Sequence, residues 1–396
     1  MLHRYSVKNF QSFRGVAEVD FALNGKVSPA GWDATSKSGH RLSTALGVIG
    51  PNGAGKTALL KPAVFAAWFV GASFHTKSDT PIPIEPHFSS KESATELEID
   101  VDDADGLLWR YVLHVTRERV LHEAVYQKRE RFNYVFIREW DAETESYKIK
   151  QQDFGFAPKE ARRVRQNASL ISTAAQYGVE MAVKLAGTAV QSNIVNTGRL
   201  PFLAESDLPN AAKHFTDHKE QRETMVSLLK SWDLGLTDIQ LRELTIQNPG
   251  QESQKIWYPF GIHAGRDGSK HELMFHDESS GTQGAFVLLS RLLQALSAGG
   301  IAVIDEFEAD LHPHMLEPVL DLFANPATNP HSAQLLFTCH AMEILNLLHK
   351  SQIMLVEKNE NCESITWRMD AVKGIRNDDN FYMKYMTGAY GAIPRV

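Results

Sequence analysis

A chain of 396 residues, 43% of them hydrophobic, is long enough for two domains or for one large domain carrying an insertion. A formal net charge of −7 argues against a surface that is basic throughout, while leaving room for a local basic patch that meets nucleic acid. No apolar run approaches ~20 residues and Met1-Leu2-His3-Arg4-Tyr5-Ser6 lacks a leader's layout, so neither a membrane span nor export is expected; two cysteines, Cys339 and Cys362, suit a reducing cytoplasm without metal-ligand spacing.

Residues 5–23 read as two strands, with Tyr5 to Phe13 alternating in part and Ala17 to Leu23 alternating well. Between them Lys8, Asn9, Ser12 and Arg14 place polar groups at a strand end, and residues 24–40, rich in Gly, Ser, Lys and Asp, read as a surface loop. Leu46 to Ile49 then reads as a short buried strand. It breaks into Gly50-Pro51-Asn52-Gly53-Ala54-Gly55-Lys56-Thr57, and Ala58 to Val70 follows as a helix. Glycines at 50, 53 and 55 let the backbone curl around Asn52 so that successive N–H groups point at one anion. The helix start adds its partial positive charge to the same spot. Lys56 would reach the β- and γ-phosphates, and the Thr57 hydroxyl would be a ligand of Mg²⁺. This is a nucleotide-phosphate site.

Thr76 to Pro86 is a proline-studded linker. Strands at Thr95–Val101 and Leu108–Thr116 flank an acidic turn, and strands at 120–127, 133–140 and 146–150 extend an antiparallel layer. From Pro158 to about Asp233 the pattern predicts helices, one over Ala168 to Ala189 and another over Phe215 to Trp232. The clusters Lys128-Arg129-Glu130-Arg131 and Arg162-Arg163-Val164-Arg165 read either as solvated faces or as a nucleic-acid contact. From Glu272 onward strands and helices alternate: helix Gly281–Ala298, strand Ile301–Ile304, helix Pro313–Phe323, strand Gln334–Thr338, helix Ala341–His349 and strand Ile353–Lys358. That rhythm, closing on the phosphate-loop strand, predicts a largely parallel sheet.

Three strand or helix ends carry chemistry. Ile301 to Ile304 ends in Asp305 and Glu306; beside a phosphate loop, Asp305 would hold Mg²⁺ and Glu306 would polarise an attacking water. Leu335 to Cys339 ends in His340, which is either structural or a hydrogen-bond partner of the γ-phosphate. Glu278-Ser279-Ser280-Gly281-Thr282-Gln283 opens a helix, so Ser280 is either an N-cap or part of a second anion site.

In this order the motifs resemble the ABC-type ATPase heads of the SMC, RecF and OLD class, and most closely the compact RloA/AbiLi-like ATPases of bacterial anti-phage loci. Asn9 to Phe13 looks like the opening motif, Gly50 to Thr57 like Walker A, and Ser279 to Gln283 like the signature. Ile301 to Glu306 looks like Walker B, Phe307 to Pro313 like the D-loop with its His-Pro ending, and His340 like the switch histidine. Leu228 to Leu236 and the tail from Asp378 to Pro394 also look like this family. The resemblance implies an α/β ABC-type head with a phosphate-loop core, an antiparallel β layer and an inserted, mainly helical subdomain. Residues 1–118 and 266–396 would be its two halves and 119–265 the insert.

It further implies a cytoplasmic homodimer, or a higher oligomer built from it, that sandwiches two ATP molecules with Mg²⁺. Glu306 would be the catalytic base and His340 the γ-phosphate sensor, Thr57 and Asp305 the metal ligands, Ser280 and Gly281 the contact from the second copy. Asn9 and Arg14 would lie on the adenosine side. The implied role is a nucleotide-gated switch over a separate nuclease or toxin in anti-phage defence. The alternatives are a RecF-like DNA-binding ATPase of repair and a non-hydrolysing, ATP-bound scaffold. Two departures stand out. No glutamine occurs between Lys56 and Gln127, so the Q-loop ligand of Mg²⁺ has no assignable residue, and a water or a residue such as His87 is left to substitute. Asp310 and His312 stand in the D-loop, where coupling across the dimer would differ from SMC proteins.

Overall fold

The computed structural model describes residues 1–23, 32–195, 198–199, 204–232, 234–246, 253–309 and 311–393. The chain opens with an antiparallel pair, β1 (Leu2–Lys8) and β2 (Ala17–Asp20), and a small hairpin, β3 (Asp33–Thr35) and β4 (Arg41–Ser43). Then β5 (Ala45–Ile49) runs through the phosphate loop into α1 (Lys56–Ala72). Five antiparallel strands follow: β6 (Thr95–Asp102), β7 (Leu108–Val115), β8 (Val120–Lys128), β9 (Phe132–Asp141) and β10 (Ser146–Gln151). Next come α2 (Pro158–Ala161), α3 (Leu170–Gln176) and α4 (Glu180–Ala186), then β11 (Val190–Ser192), β12 (Ile194–Val195) and β13 (Gly198–Arg199).

Helices α5 (Asp207–Asp217) and α6 (Lys219–Ser231) lead into a three-stranded sheet, β14 (Asp238–Ile246), β15 (Gln254–Ala264) and β16 (Lys270–Met274). The last stretch comprises α7 (Ser280–Ala298), β17 (Ile301–Ile304), α8 (Pro313–Ala324), β18 (Gln334–Thr338), β19 (Ile353–Lys358), β20 (Ser364–Arg368) and α9 (Phe381–Met386).

Two large sheets organise these elements. The core sheet has the order β11-β17-β18-β5-β19-β20 and is parallel except for β20. Its central strands β5, β17 and β18 are buried at every residue, as a parallel sheet covered on both faces requires. The second sheet, β10-β9-β8-β7-β6-β1-β2, is antiparallel throughout, and its strands largely alternate between buried and accessible residues. Between them lies α1. Its Leu59, Leu60, Phe65 and Phe69 share one core with Tyr5 and Leu113 of the antiparallel sheet and Val48, Val303 and Leu336 of the core sheet. The far face of the core sheet packs Ile49, Ile304 and Phe337 against Phe286 and Leu289 of α7, Val319 and Leu320 of α8, and Phe215 of α5. The result is an α/β architecture, a parallel core sheet with an antiparallel layer across α1 from it.

The structure departs from the sequence reading in several places. The segment Lys56–His75, 20 residues, is long and apolar enough to cross a membrane by length and composition. It is the phosphate-loop helix, apolar nearly all round because it is sandwiched between sheets. The helix expected over Ala168–Ala189 is two, broken at Gly178 with φ +73°. The one expected over Phe215–Trp232 is likewise two, meeting at His218. The helix expected over Ala341–His349 is a 3₁₀ turn, Met342–Asn346, because the chain returns to the sheet at Ile353 through a second such turn capped by His349. No strand was expected at β11 or in β14 to β16. Part of the loop expected over residues 24–40 is the strand β3, and residues 24–31 lie outside the described residues.

The boundary expected between residues 118 and 119 falls between β7 and β8, which pair along nearly their whole length. The residues after it are joined to that sheet by a buried ion pair. Glu123 and Arg138 are both fully buried, 3.4 Å apart. Glu123 also accepts the Leu170 N–H (2.9 Å) and the Ser169 hydroxyl (2.6 Å) at the start of α3. Arg138 donates to the carbonyls of Ala168 (2.8 Å), Val164 (3.0 Å) and Arg165 (2.9 Å), so two side chains bind α3 and its approach to the sheet.

Candidate functional site

The phosphate loop is held in shape by contacts that only glycine permits. A Cβ on Gly50 would lie 2.1 Å from the Val356 carbonyl oxygen of the neighbouring strand. One on Gly55, at φ +112°, would lie 2.5 Å from Ser364 Oγ and 2.6 Å from Ser12 Oγ. Gly55 is also the N-cap of α1 and offers no side chain to the first-turn N–H groups, which stay available to an anion. Asn52 and Gly53 form the exposed crest of the loop. Lys56 is buried, and its Nζ donates to the carbonyls of Gly50 (2.8 Å) and Pro51 (3.0 Å). Burial pulls its pKa below the usual lysine range, while Asp305, Glu308 and Glu306 nearby pull it up.

Asp305 follows the last residue of β17 and is almost wholly buried. The Thr57 hydroxyl, from the first turn of α1, donates to its carboxylate at 2.9 Å. Thr338, at the end of β18, donates to the same carboxylate at 2.7 Å and accepts the Glu306 N–H at 2.7 Å. From the other side Asn193, just past β11, accepts the Asp305 N–H through Oδ1 (2.8 Å) and donates through Nδ2 to the Asp305 carbonyl (2.8 Å). Glu306 has a left-handed backbone, φ +50°. The carboxyl ends of three parallel strands thus meet at one dipeptide, as open α/β sheets arrange their sites.

His340 is exposed, and its N–H donates to Glu308 Oε1 at 2.6 Å. The other oxygen of Glu308 is buried without a hydrogen-bond partner. Burial, and then Glu308, raises the pKa of the Cys339 thiol far above the ordinary range. His312 caps α8, accepting the His314 N–H at 3.3 Å; Asp310 lies outside the described residues. Ser280 and Gly281 occupy the first turn of α7, where Ser280 is exposed and Ser279, rather than Ser280, is the N-cap, accepting the Thr282 N–H at 3.2 Å. Behind them Glu278 is held by His263 of β15 (2.7 Å), in space that Gly261 leaves open.

The residues expected on the adenosine side are placed differently from one another. The Asn9 amide is buried: it donates to the carbonyls of Ser90, Ser93 and Ala94 and accepts the His87 N–H, so it builds the loop 85–94. Arg14 is exposed and pairs with Glu363 at 3.2 Å. His87 is itself a buried member of that loop, its ring against Phe88 and its Nδ1 2.8 Å from the Ser89 hydroxyl.

The donor set fits Mg²⁺ and a triphosphate. A hydroxyl and a carboxylate that meet at 2.9 Å are hard oxygen ligands of the kind Mg²⁺ takes, and the ammonium of Lys56 occupies the cradle with two carbonyls for partners. Sequence reasoning missed Asn193, Thr338 and Glu308. A three-residue edge strand carries no periodic signal, so nothing pointed to Asn193; Glu308 and Thr338 stood beside recognised residues and could have been found by asking what holds them.

A profile of the family described as "AAA domain, putative AbiEii toxin, Type IV TA system" matches residues 46–346. Among solved structures the chain is similar to the SMC head domain from Thermotoga maritima, with 11% identity and a TM-score of 0.40 over 93% of this chain and 98% of that one. It is similar also to SmcHead bound to the C-winged helix domain of ScpA, with 12% identity and a TM-score of 0.45 over 94% and 99%. A third is the recombination mediator protein RecF-ATPrS in the RecFOR pathway, with 11% identity and a TM-score of 0.33 over 85% and 92%. No curated protein matches the chain. The chain belongs to the AAA-domain family whose profile it matches.

Proposed function

We propose that this AAA-domain chain binds and hydrolyses ATP as a dimeric, nucleotide-gated switch of the SMC and RecF kind, closest to RloA/AbiLi-like ATPases, and that it controls a separate nuclease or toxin in cytoplasmic anti-phage defence. The observation that carries the reading is the meeting of Thr57 and Asp305 at 2.9 Å, two groups far apart in sequence brought to the mouth of one glycine cradle. Mg²⁺ bound there would offset the phosphate charge. Thr57 and Asp305 would hold it, and Lys56 would leave the loop carbonyls for the phosphates. Glu306 would orient a water and take its proton, and His340 would meet the γ-phosphate. Ser280 and Gly281, at the accessible start of a 19-residue helix, are suited to meet a nucleotide held by a second copy. Binding would then close the dimer and hydrolysis open it. The family's description, which names a putative toxin and a type IV TA system, supports a setting in a toxin–antitoxin locus.

The test is the mass in solution with Mg-ATP. Glu306→Gln is expected to bind ATP and accumulate as a closed dimer, and Lys56→Ala to lose both nucleotide and closure. Equal masses for the two variants would overturn the gating model. Salt-dependent capture of duplex DNA by the ATP-bound Glu306→Gln protein would instead favour a RecF-like role.

A further inference from the structure

We propose that Asn193 and Thr338 are positioning residues for hydrolysis, a clamp that grips the Asp305–Glu306 dipeptide from the two flanking strands and holds Glu306 in its left-handed backbone. The inference rests on the hydrolytic reading above and adds to it the residues that aim the base. A non-glycine residue at φ +50° is strained and persists only where its surroundings over-determine it. Here they do. Both polar ends of the Asn193 amide are spent on the main chain of Asp305, at 2.8 Å each. The Thr338 hydroxyl takes the Glu306 N–H and gives its own proton to the Asp305 carboxylate, at 2.7 Å each. The Thr338 carbonyl then accepts the Phe307 N–H at 2.9 Å. Every main-chain N–H from Asp305 to Phe307 is therefore fixed by one of these two residues.

The clamp is itself held rigidly. β11 pairs in register with β17, Val190 to Ile301, Gln191 to Ala302 and Ser192 to Val303, and the Ser192 hydroxyl adds a bond to the Val303 carbonyl at 2.8 Å. Asn193 sits where that pairing ends, at the root of the segment that leads to α5, α6 and the β14–β16 sheet. With both amide ends occupied it acts on the backbone of the acidic dipeptide, and its influence on a bound nucleotide passes through Asp305 and Glu306.

The experiment measures steady-state ATP turnover and the affinity for a fluorescent ATP analogue, with Mg²⁺, for the full chain and the variants Asn193→Ala, Thr338→Val and Thr338→Ser. Asn193→Ala and Thr338→Val are expected to lower kcat about 10- to 50-fold while affinity changes less than about threefold, and Thr338→Ser to restore most of the rate. In a Glu306→Gln background Asn193→Ala is expected to cost nothing further, since the group it aims is already gone. Wild-type turnover in Asn193→Ala, or a loss of affinity as large as the loss of rate, overturns the clamp. If Asn193→Ala does not fold, the Thr338 pair decides: equal rates in Val and Ser overturn the proposal. A wild-type protein that binds ATP without turning it over overturns the hydrolytic reading, and this inference with it, a result distinct from either.

Discussion

In the core sheet the polar residues gather at the carboxyl ends of strands; in the antiparallel sheet they run along the strands. Asp305, Thr338 and Asn193 follow or end β17, β18 and β11 and touch one another's neighbourhood directly. On the antiparallel sheet Arg4 pairs with Asp100, Arg110 with Asp100, and Lys8 with Glu96, each across adjacent strands, and Glu123–Arg138 lies underneath. Pairs between neighbouring strands stitch register, whereas groups at strand ends face a cavity that a ligand can enter. Substitutions in the first set are therefore expected to show in stability, and in the second set in nucleotide chemistry.

The largest expected effect lies in the antiparallel sheet. Arg138→Ala leaves the buried Glu123 carboxyl without its guanidinium partner and three carbonyls without their donor, at a cost of about 3–5 kcal/mol in denaturant unfolding, while the folded fraction keeps its affinity for ATP. An unchanged unfolding midpoint would break the comparison. Lys56→Ala tests the opposite side: affinity for ATP is expected to fall about 100-fold, about 3 kcal/mol, with unfolding in the absence of nucleotide little altered, as titration and denaturation together would show.

Gly50→Ala should blur the division, because its new Cβ meets the Val356 carbonyl inside the core sheet. Loss of about 2 kcal/mol of stability and of nucleotide binding together is the expected result by calorimetry. Ser169→Ala removes the cap of α3 and a partner of Glu123, for about 1 kcal/mol in stability alone. The smallest effect concerns acidity. Burial, and then neighbouring His122, lowers the His114 pKa, so the unfolded chain binds that proton more readily. The contribution is present above the unfolded pKa of about 6.5 and is lost as pH falls through the lower folded value. His114→Gln should flatten melting temperature between pH 7 and pH 5.

How much of this was readable beforehand follows the same division. The antiparallel strands announced themselves, since β6 and β7 largely alternate and an acidic turn separates them. The phosphate loop was legible because its glycines, lysine and threonine are adjacent, so one local stretch states the whole cradle. Asp305, Glu306 and His340 were legible as polar residues ending apolar runs. Asn193 was not. Its partner lies 112 residues away, and Val190–Ser192 is too short to show any period. The sheet β14–β16 escaped because its outer strands are mostly exposed, so the apolar pattern that betrays a half-buried strand is weak there. The apolar run of the middle strand β15 is interrupted by Pro259, a residue out of place in a central strand. Asn9 misled for a related reason: an amide at a strand end looks free until the loop 85–94 closes over it.

The place of β5 at the middle of the core sheet has a consequence for the newborn chain. Both of its neighbours, β18 and β19, come from the far end of the sequence, and Ala45 waits about 290 residues for Leu335. At roughly 5–20 residues per second, that is about 15–60 seconds during which an apolar strand has emerged from the ribosome without an edge to pair with. The antiparallel sheet, whose β6 to β10 follow one another by short turns, can assemble meanwhile and shelter α1. Chaperone contact during synthesis should therefore concentrate on β5 and lapse once β18 and β19 arrive.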